Sequence, residues 1–279
     1  MFNQLKSEFL KLKYSKLFIA VPLLLFAGLI LYGSFSLSAG GTQLFVSEGD
    51  EETNAAIQGI IGFFAFTFEN IDTPKFSEIM QSCLSCNVFL WIVALILTIQ
   101  FFCYDYSVGT IKLPIAHGIS RVKVYFAKVI VIVLYNAICY FLFNVITLCF
   151  TCIQIGYTPN ITELTQYLGY IGLNFLVMIS FILLCINICI CLKNTGIIAT
   201  VMCLFTLGGA VIYTGIWQNF HSHIILKYLV WLNPLYYWMN MGTFRLEYGL
   251  VNEIIVYLVF GLLFLLPLSV IFIKKQEFK

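Results

Sequence analysis

The chain has 279 residues, of which 61% are hydrophobic and only 10% charged, with a mean hydropathy of +0.96 and a formal net charge of +2. A water-soluble domain of this size cannot hide so much apolar surface, so lipid must be the solvent. The small net charge also excludes a broad basic field for nucleic acid.

Met1 to Lys16 reads as a short interfacial helix, with Phe2, Leu5, Phe9 and Leu12 on one face and Lys6, Lys11, Lys13 and Lys16 reaching toward phosphates. A plain basic flank orienting the first span is the alternative, and both place the N-terminus inside. Lys16 and Glu48 enclose 31 residues without formal charge, enough for a first span at about 17–36. The run lacks a small-residue cleavage site, so we expect a retained anchor. An acidic outer loop, 37–81, follows, in which Ile57, Ile60, Ile61, Phe64 and Phe68 recur at helical spacing. Only 16 uncharged residues separate Glu52 from Glu69, which suits a helix lying on the outer surface better than a span. Thr73-Pro74 marks a helix start, leading to a second span at about 82–104.

The segment 105–128 sets Lys112, Arg121, Lys123 and Lys128 against the single acid Asp105, which places it on the cytoplasmic side. A third span, about 129–153, lies within 34 uncharged residues. Asn160-Ile161-Thr162 fits a glycosylation acceptor, but Asn160 with Glu163 three residues on fits a helix cap better. The fourth span is about 167–191, the fifth about 196–217 and the sixth about 254–273, ending at Lys274-Lys275. Between the last two, Pro234 interrupts a run of 17 uncharged residues, so 218–249 reads as an outer re-entrant hairpin. In this six-span, all-α layout twelve Lys and Arg residues fall inside and three outside, with both chain ends cytoplasmic.

Ten cysteines lie mostly in apolar runs, where Cys acts as a small hydrophobe, and Cys83-x-x-Cys86 has no evident metal or redox partners. The chain has no G-x-x-x-x-G-K-[ST], H-E-x-x-H or G-x-S-x-G motif, and His117, His221 and His223 form no convincing ligand set. Glu51-Glu52 sits in an acidic loop without the spaced histidines a membrane protease would need. We therefore expect neither catalysis, metal nor cofactor on this chain. No ionisable group falls in the six span cores, which argues against an ion-coupled carrier and leaves the energy source to another subunit.

Polar residues Asn136, Tyr140, Asn144, Thr147 and Thr151 form one stripe along the third span. Such a stripe lines a translocation path or supplies helix-to-helix hydrogen bonds. At the hairpin, Trp231, Tyr236, Tyr237 and Trp238 cluster beside Pro234, as an interfacial belt or an outer gate.

With these residues assembled, the chain resembles the membrane subunits of ABC-2 type transporters. The inner loop is similar to that family's acid-x-x-x-Gly-Thr, Ser-Arg and later Lys, here Asp105, Gly109-Thr110, Ser120-Arg121 and Lys128. The hairpin resembles its Asn-Pro-Leu-(Thr/Tyr)-Tyr…Arg segment, here Asn233-Pro234-Leu235-Tyr236-Tyr237 and Arg245. Asp105 replaces the more usual Glu, and Gly118 stands where a Pro is frequent.

The resemblance implies a permease in the bacterial cytoplasmic membrane that pairs with a second copy or a related subunit. Two cytoplasmic ATPase subunits, carrying ATP and Mg, would drive it through a coupling helix between spans two and three. Ile111, Lys112, Leu113 and Ile115 are then candidate ATPase contacts, with Arg121 and Lys128 holding the loop at the lipid boundary. The short chain is similar to bacitracin- and lantibiotic-type resistance or immunity permeases. A membrane sensor that binds an outer ligand without moving it is the alternative function.

Overall fold

The computed structural model describes residues 2–35, 76–85, 87–103, 105, 109, 112–192, 194–211, 232–234, 237 and 248–275. Among them the chain is all-helical. In order come α1 (Phe2–Tyr14), α2 (Leu17–Phe35), α3 (Phe76–Ser85) and α4 (Asn87–Thr98), which continues as a π-helical turn, Ile99–Cys103. The short α5 (Lys112–Ala116) precedes the long α6 (Arg121–Ile155) and α7 (Ile161–Leu192), and then α8 (Thr195–Val211). Last are α9 (Tyr248–Phe260), a second π turn (Gly261–Leu265) and α10 (Leu266–Lys275). The surface helix expected at 57–68, the Thr73-Pro74 start, Cys86 and most of the outer hairpin lie outside the described residues.

Three described helices are long and apolar enough to cross a bilayer: Arg121–Ile155, Ile161–Leu192 and Val251–Lys275. The pair Phe2–Tyr14 and Leu17–Ile30 passes the same test only as one unit bent by 58°, and Phe89–Phe102 and Thr195–Thr206 are shorter apolar helices. At 1.5 Å per residue the 35 residues of α6 extend about 52 Å, well past the ~30 Å hydrocarbon core. The helix therefore starts at Arg121, not at the Val129 where uncharged sequence begins, and its first two turns lie beyond the expected span.

α6 and α7 form the centre, and α1, α2, α3, α4 and α10 all touch α6. Their ends are capped by local chemistry. Gly156 closes α6 in the left-handed region at φ 72°, and the Tyr157 N–H reaches back to the Cys152 carbonyl at 3.0 Å. Ahead of α7, the Asn160 N–H donates to Glu163 Oε2 at 2.8 Å, half of a capping box that occupies the acceptor-like sequence 160–162. The second Glu163 oxygen accepts the Tyr157 hydroxyl at 2.9 Å, and desolvation, followed by this bond and the carboxylate charge, pushes the phenol pKa up. Asn194 caps α8 in the same spirit, its Oδ1 accepting the N–H groups of Gly196 and Ile197.

Prolines inside apolar helices pose a harder problem, because a freed carbonyl in lipid has no water to turn to. Pro22 lacks the N–H that would bond the Phe18 carbonyl, and the Tyr135 hydroxyl of α6 supplies the missing donor at 3.2 Å. Pro267 follows the second π turn, where the Leu265 carbonyl accepts Asn187 Nδ2 from α7 at 2.9 Å and Ser269 Oγ at 2.7 Å.

The same turn packs closely. A Cβ built on Gly261 would lie 3.0 Å from Ser180 Oγ and 3.4 Å from the Ser180 Cα. Gly261→Val is expected to destabilise the fold by about 1–3 kcal/mol through overpacking against α7. Thermal unfolding in detergent checks this, and an unchanged melting point would show that the second π turn and α7 do not approach as described.

Candidate functional site

The polar segment between α4 and α6 is built around turns. α5 ends in a Schellman motif: the Ile119 N–H bonds the Pro114 carbonyl at 3.1 Å and the Gly118 N–H bonds that of Ile115 at 2.9 Å. Gly118 takes φ 81°, which a proline ring locked near −65° cannot reach. The Gly at this position is thus what the turn requires, and Pro114 instead sits inside α5. Ser120 is the extended N-cap residue of α6 and makes no side-chain cap bond, while its carbonyl accepts Lys123 and Val124. On α5, Leu113 is 63% exposed and Ile115 half-buried. Gly109 is left-handed at φ 77°, Lys112 opens α5, and Thr110 and Ile111 lie outside the described residues.

The first two turns of α6 gather three other elements. Arg121 Nη1 donates to the Lys274 carbonyl at the end of α10, at 3.4 Å. Lys128, fully buried, donates to Asp105 Oδ2 and lies 2.9 Å from Glu8 Oε2 of α1. The other Glu8 oxygen accepts Lys11 Nζ at 2.8 Å and Gln4 Nε2 at 3.2 Å, and Lys11 also stands 3.8 Å from Asp105. The Phe101 ring covers the Lys128 ammonium, with its centroid 4.7 Å away. Two cations and two carboxylates therefore form a cluster joining α1, residue 105 and α6, in which Glu8 and Lys128 are buried and Lys11 reaches the surface.

The cluster gives α1 a protein-docked face that the sequence reading did not include. The docked stripe is Gln4, Glu8 and Leu12, at i, i+4 and i+8, whereas Phe2 is 79% exposed and Phe9 is also exposed. A carboxylate with two ammonium partners can be buried in place of a hydrophobe. Glu8 was not among the candidate residues, although it is the only acid before Glu48 and shares the i, i+4 line with Leu12.

The polar stripe of α6 is buried inside the bundle. Asn136, Asn144, Thr147 and Thr151 each donate to the carbonyl four residues earlier, and Asn87 of α4 donates to the Tyr140 hydroxyl at 3.2 Å. The Tyr167 hydroxyl of α7 reaches the Asn144 carbonyl at 3.2 Å, and Cys83 Sγ of α3 bonds Thr151 Oγ1 at 3.5 Å. Cys83 is thus a buried neighbour of a threonine. At the other candidate site, Asn233 Nδ2 bonds the Phe205 carbonyl of α8 at 2.8 Å, and the Tyr257 hydroxyl of α9 bonds that of Leu232 at 3.0 Å. Pro234 is buried and the Tyr237 ring lies 4.7 Å from Tyr257, while Tyr236, Trp238 and Arg245 lie outside the described residues. No group of three or more His, Cys, Asp or Glu able to hold a metal occurs among the described residues.

Removing one member of the ion cluster strands the others. Lys128→Ala should cost about 3–5 kcal/mol, because Glu8 and Asp105 then lose their shared buried cation. The pair Glu8→Gln with Lys128→Met should cost less than Lys128→Ala alone. Melting points of the purified variants, read as a mutant cycle, check the ordering.

These contacts lie almost entirely within the part of the chain that can be compared with known proteins. A family model described as ABC-2 family transporter protein matches residues 4–211, about three quarters of the chain, covering α1 to α8 and all four members of the ion cluster. No match was found among curated proteins. With its apolar helices, its inward-packed polar stripe and this match, the chain belongs to the ABC-2 transporter family as a multi-pass membrane permease component.

Proposed function

We propose that the chain is the permease subunit of an ATP-driven exporter that expels amphiphilic molecules such as peptide antibiotics, of bacitracin or lantibiotic type, from a bacterial cytoplasmic membrane. It works with two cytoplasmic ATPase subunits, which bind ATP and Mg, and with a second permease, identical or related. Family membership supports the partnership with an ATPase, since the permeases of this family are membrane components that do not themselves hydrolyse nucleotide. Counting α2, α4 with its π turn and α8 beside the three long helices gives six spans with both ends cytoplasmic.

The observation that carries this reading is the build of residues 105–128. An apolar side chain, Leu113, stands exposed on a short helix joined to α6 by the left-handed turn at Gly118, while Asp105, seven residues ahead of that helix, is ion-paired to Lys128 of α6. Force applied to α5 would pass through that turn into α6 and hence into the centre of the bundle. ATP-driven closure of the ATPases would use that route to shift the balance between inward- and outward-open arrangements. In this reading the α6 stripe acts as helix-to-helix glue more than as path lining, because its polar groups are already bonded within the bundle. Asn233, Pro234 and Tyr237 tie the hairpin to α8 and α9, where an outer gate would hinge.

Leu113→Asp or Ile111→Asp should abolish ATP-dependent transport into sealed vesicles containing the complex, while membrane insertion is retained. Normal transport by these variants would exclude α5 as the coupling element. Ligand binding without flux in the competent complex would favour a sensor. Ser120 is exposed, so Ser120→Cys, in a background lacking the exposed Cys149, Cys191 and Cys203, should be labelled by an impermeant thiol reagent in inverted vesicles and not in intact cells.

A further inference from the structure

Among the described residues nothing covers the outward side of α1, and its chemistry is ordered. Glu8, the only acid on the helix, is turned inward to Lys128, so Lys6 and Lys13, together with Lys16 in the following turn, present a positive face that no acid among the described residues opposes. At 100° per residue Phe2 and Phe9 lie side by side along one border of that face, and the exposed Tyr14 lies along the other. An open groove of about 540 Å³ runs between them, lined by Asn3, Lys6, Ser7, Leu10, Lys11 and Tyr14. Two residues later the chain enters α2, whose exposed Ile19, Leu23 and Phe26 carry the apolar border onward at an angle of 58°.

We propose that this face binds the headgroups of anionic phospholipids, and that the Glu8–Lys128–Asp105 cluster passes its occupancy on to the loop at 105–128. The order of groups argues for lipid over an acidic protein. Aromatic and apolar side chains beside lysines match acyl chains beside phosphates, and α2 continues the same apolar border into the hydrocarbon. Hydrogen-bonding groups of Asn3, Ser7 and Tyr14 line the groove around the lysines, as a phosphate diester with a polar headgroup requires. Transmission follows from geometry on the opposite side of the helix. Glu8 lies one turn from both Gln4 and Leu12, so any tilt of α1 on the lipid surface moves a carboxylate that Lys128 and Lys11 hold. Asp105 shares those two cations, and α5 lies seven residues further along the chain. The proposal does not depend on transport.

The test is hydrogen exchange on the full-length protein in nanodiscs of phosphatidylcholine alone or mixed with phosphatidylglycerol. In the wild type, phosphatidylglycerol should slow exchange at both 2–14 and 112–120. Lys6→Gln with Lys13→Gln, both exposed positions that leave the fold intact, should remove both effects, with headgroup affinity falling roughly fivefold per lysine. Glu8→Gln should keep the protection at 2–14 and lose it at 112–120. Equal exchange in the two lipid mixtures, or equal lipid effects in the double variant, would overturn the binding surface. Lipid-dependent protection of 112–120 that survives Glu8→Gln would overturn the transmission. Protection of α1 by inorganic phosphate alone, or only after an ATPase subunit is added, would assign the face to a different occupant.

Discussion

A lysine ammonium held out of water between two carboxylates organises one end of this molecule. Lys128 is buried, so it must be neutralised in place, and the groups that neutralise it come from α1 and from the segment after α4. An arrangement of this kind contributes little net stability, because desolvation offsets most of the attraction, but it admits few alternative geometries. The direction in which α1 leaves the bundle, the start of the polar loop and the first turns of α6 are fixed together. Arg121, two turns earlier, extends the assembly to the end of α10.

Elsewhere the governing constraint is that no backbone carbonyl can be left bare in lipid. Side chains that would be a liability in an apolar core serve here as replacement partners. Tyr135 stands in for the amide that Pro22 lacks, and Asn187 adds a bond from α7 to the Leu265 carbonyl at the π turn. The α6 stripe follows a related logic: Asn and Thr groups turn back on their own helix, while Asn87 and Tyr167 cross to it from the neighbours. Such bonds select one packing arrangement among helices whose remaining surfaces are nearly uniform hydrocarbon.

The ion cluster also lies close in sequence to α5. α5 is short and exposes Leu113, so by itself it would have no firm seat. The left-handed turn at Gly118 joins it directly to α6, and Asp105, bound to Lys128, lies seven residues ahead of it.

Much of this was legible in one dimension. Composition required a membrane, uncharged runs pointed to apolar helices in the stretches that α2, α4 and α6 to α10 occupy, although α6 begins eight residues ahead of its run, and the Asn160–Glu163 pair marked the start of α7. Asp105, Arg121 and Lys128 could be singled out because charge between apolar runs is rare. What the sequence could not supply was the partner of Lys128. Glu8 lies 120 residues away on a helix whose pattern pointed only to an interfacial position, and no local periodicity records an ion pair made across that distance. Burial of a charge depends on where its counter-charge arrives, which is settled only when the helices pack. The apolar character of each helix depends on the solvation of its residues one by one and was legible in the sequence. The docked face of α1, the donor for Phe18 and the π turn before Pro267 depend on pairs brought together from separate helices, and were decided by the tertiary structure.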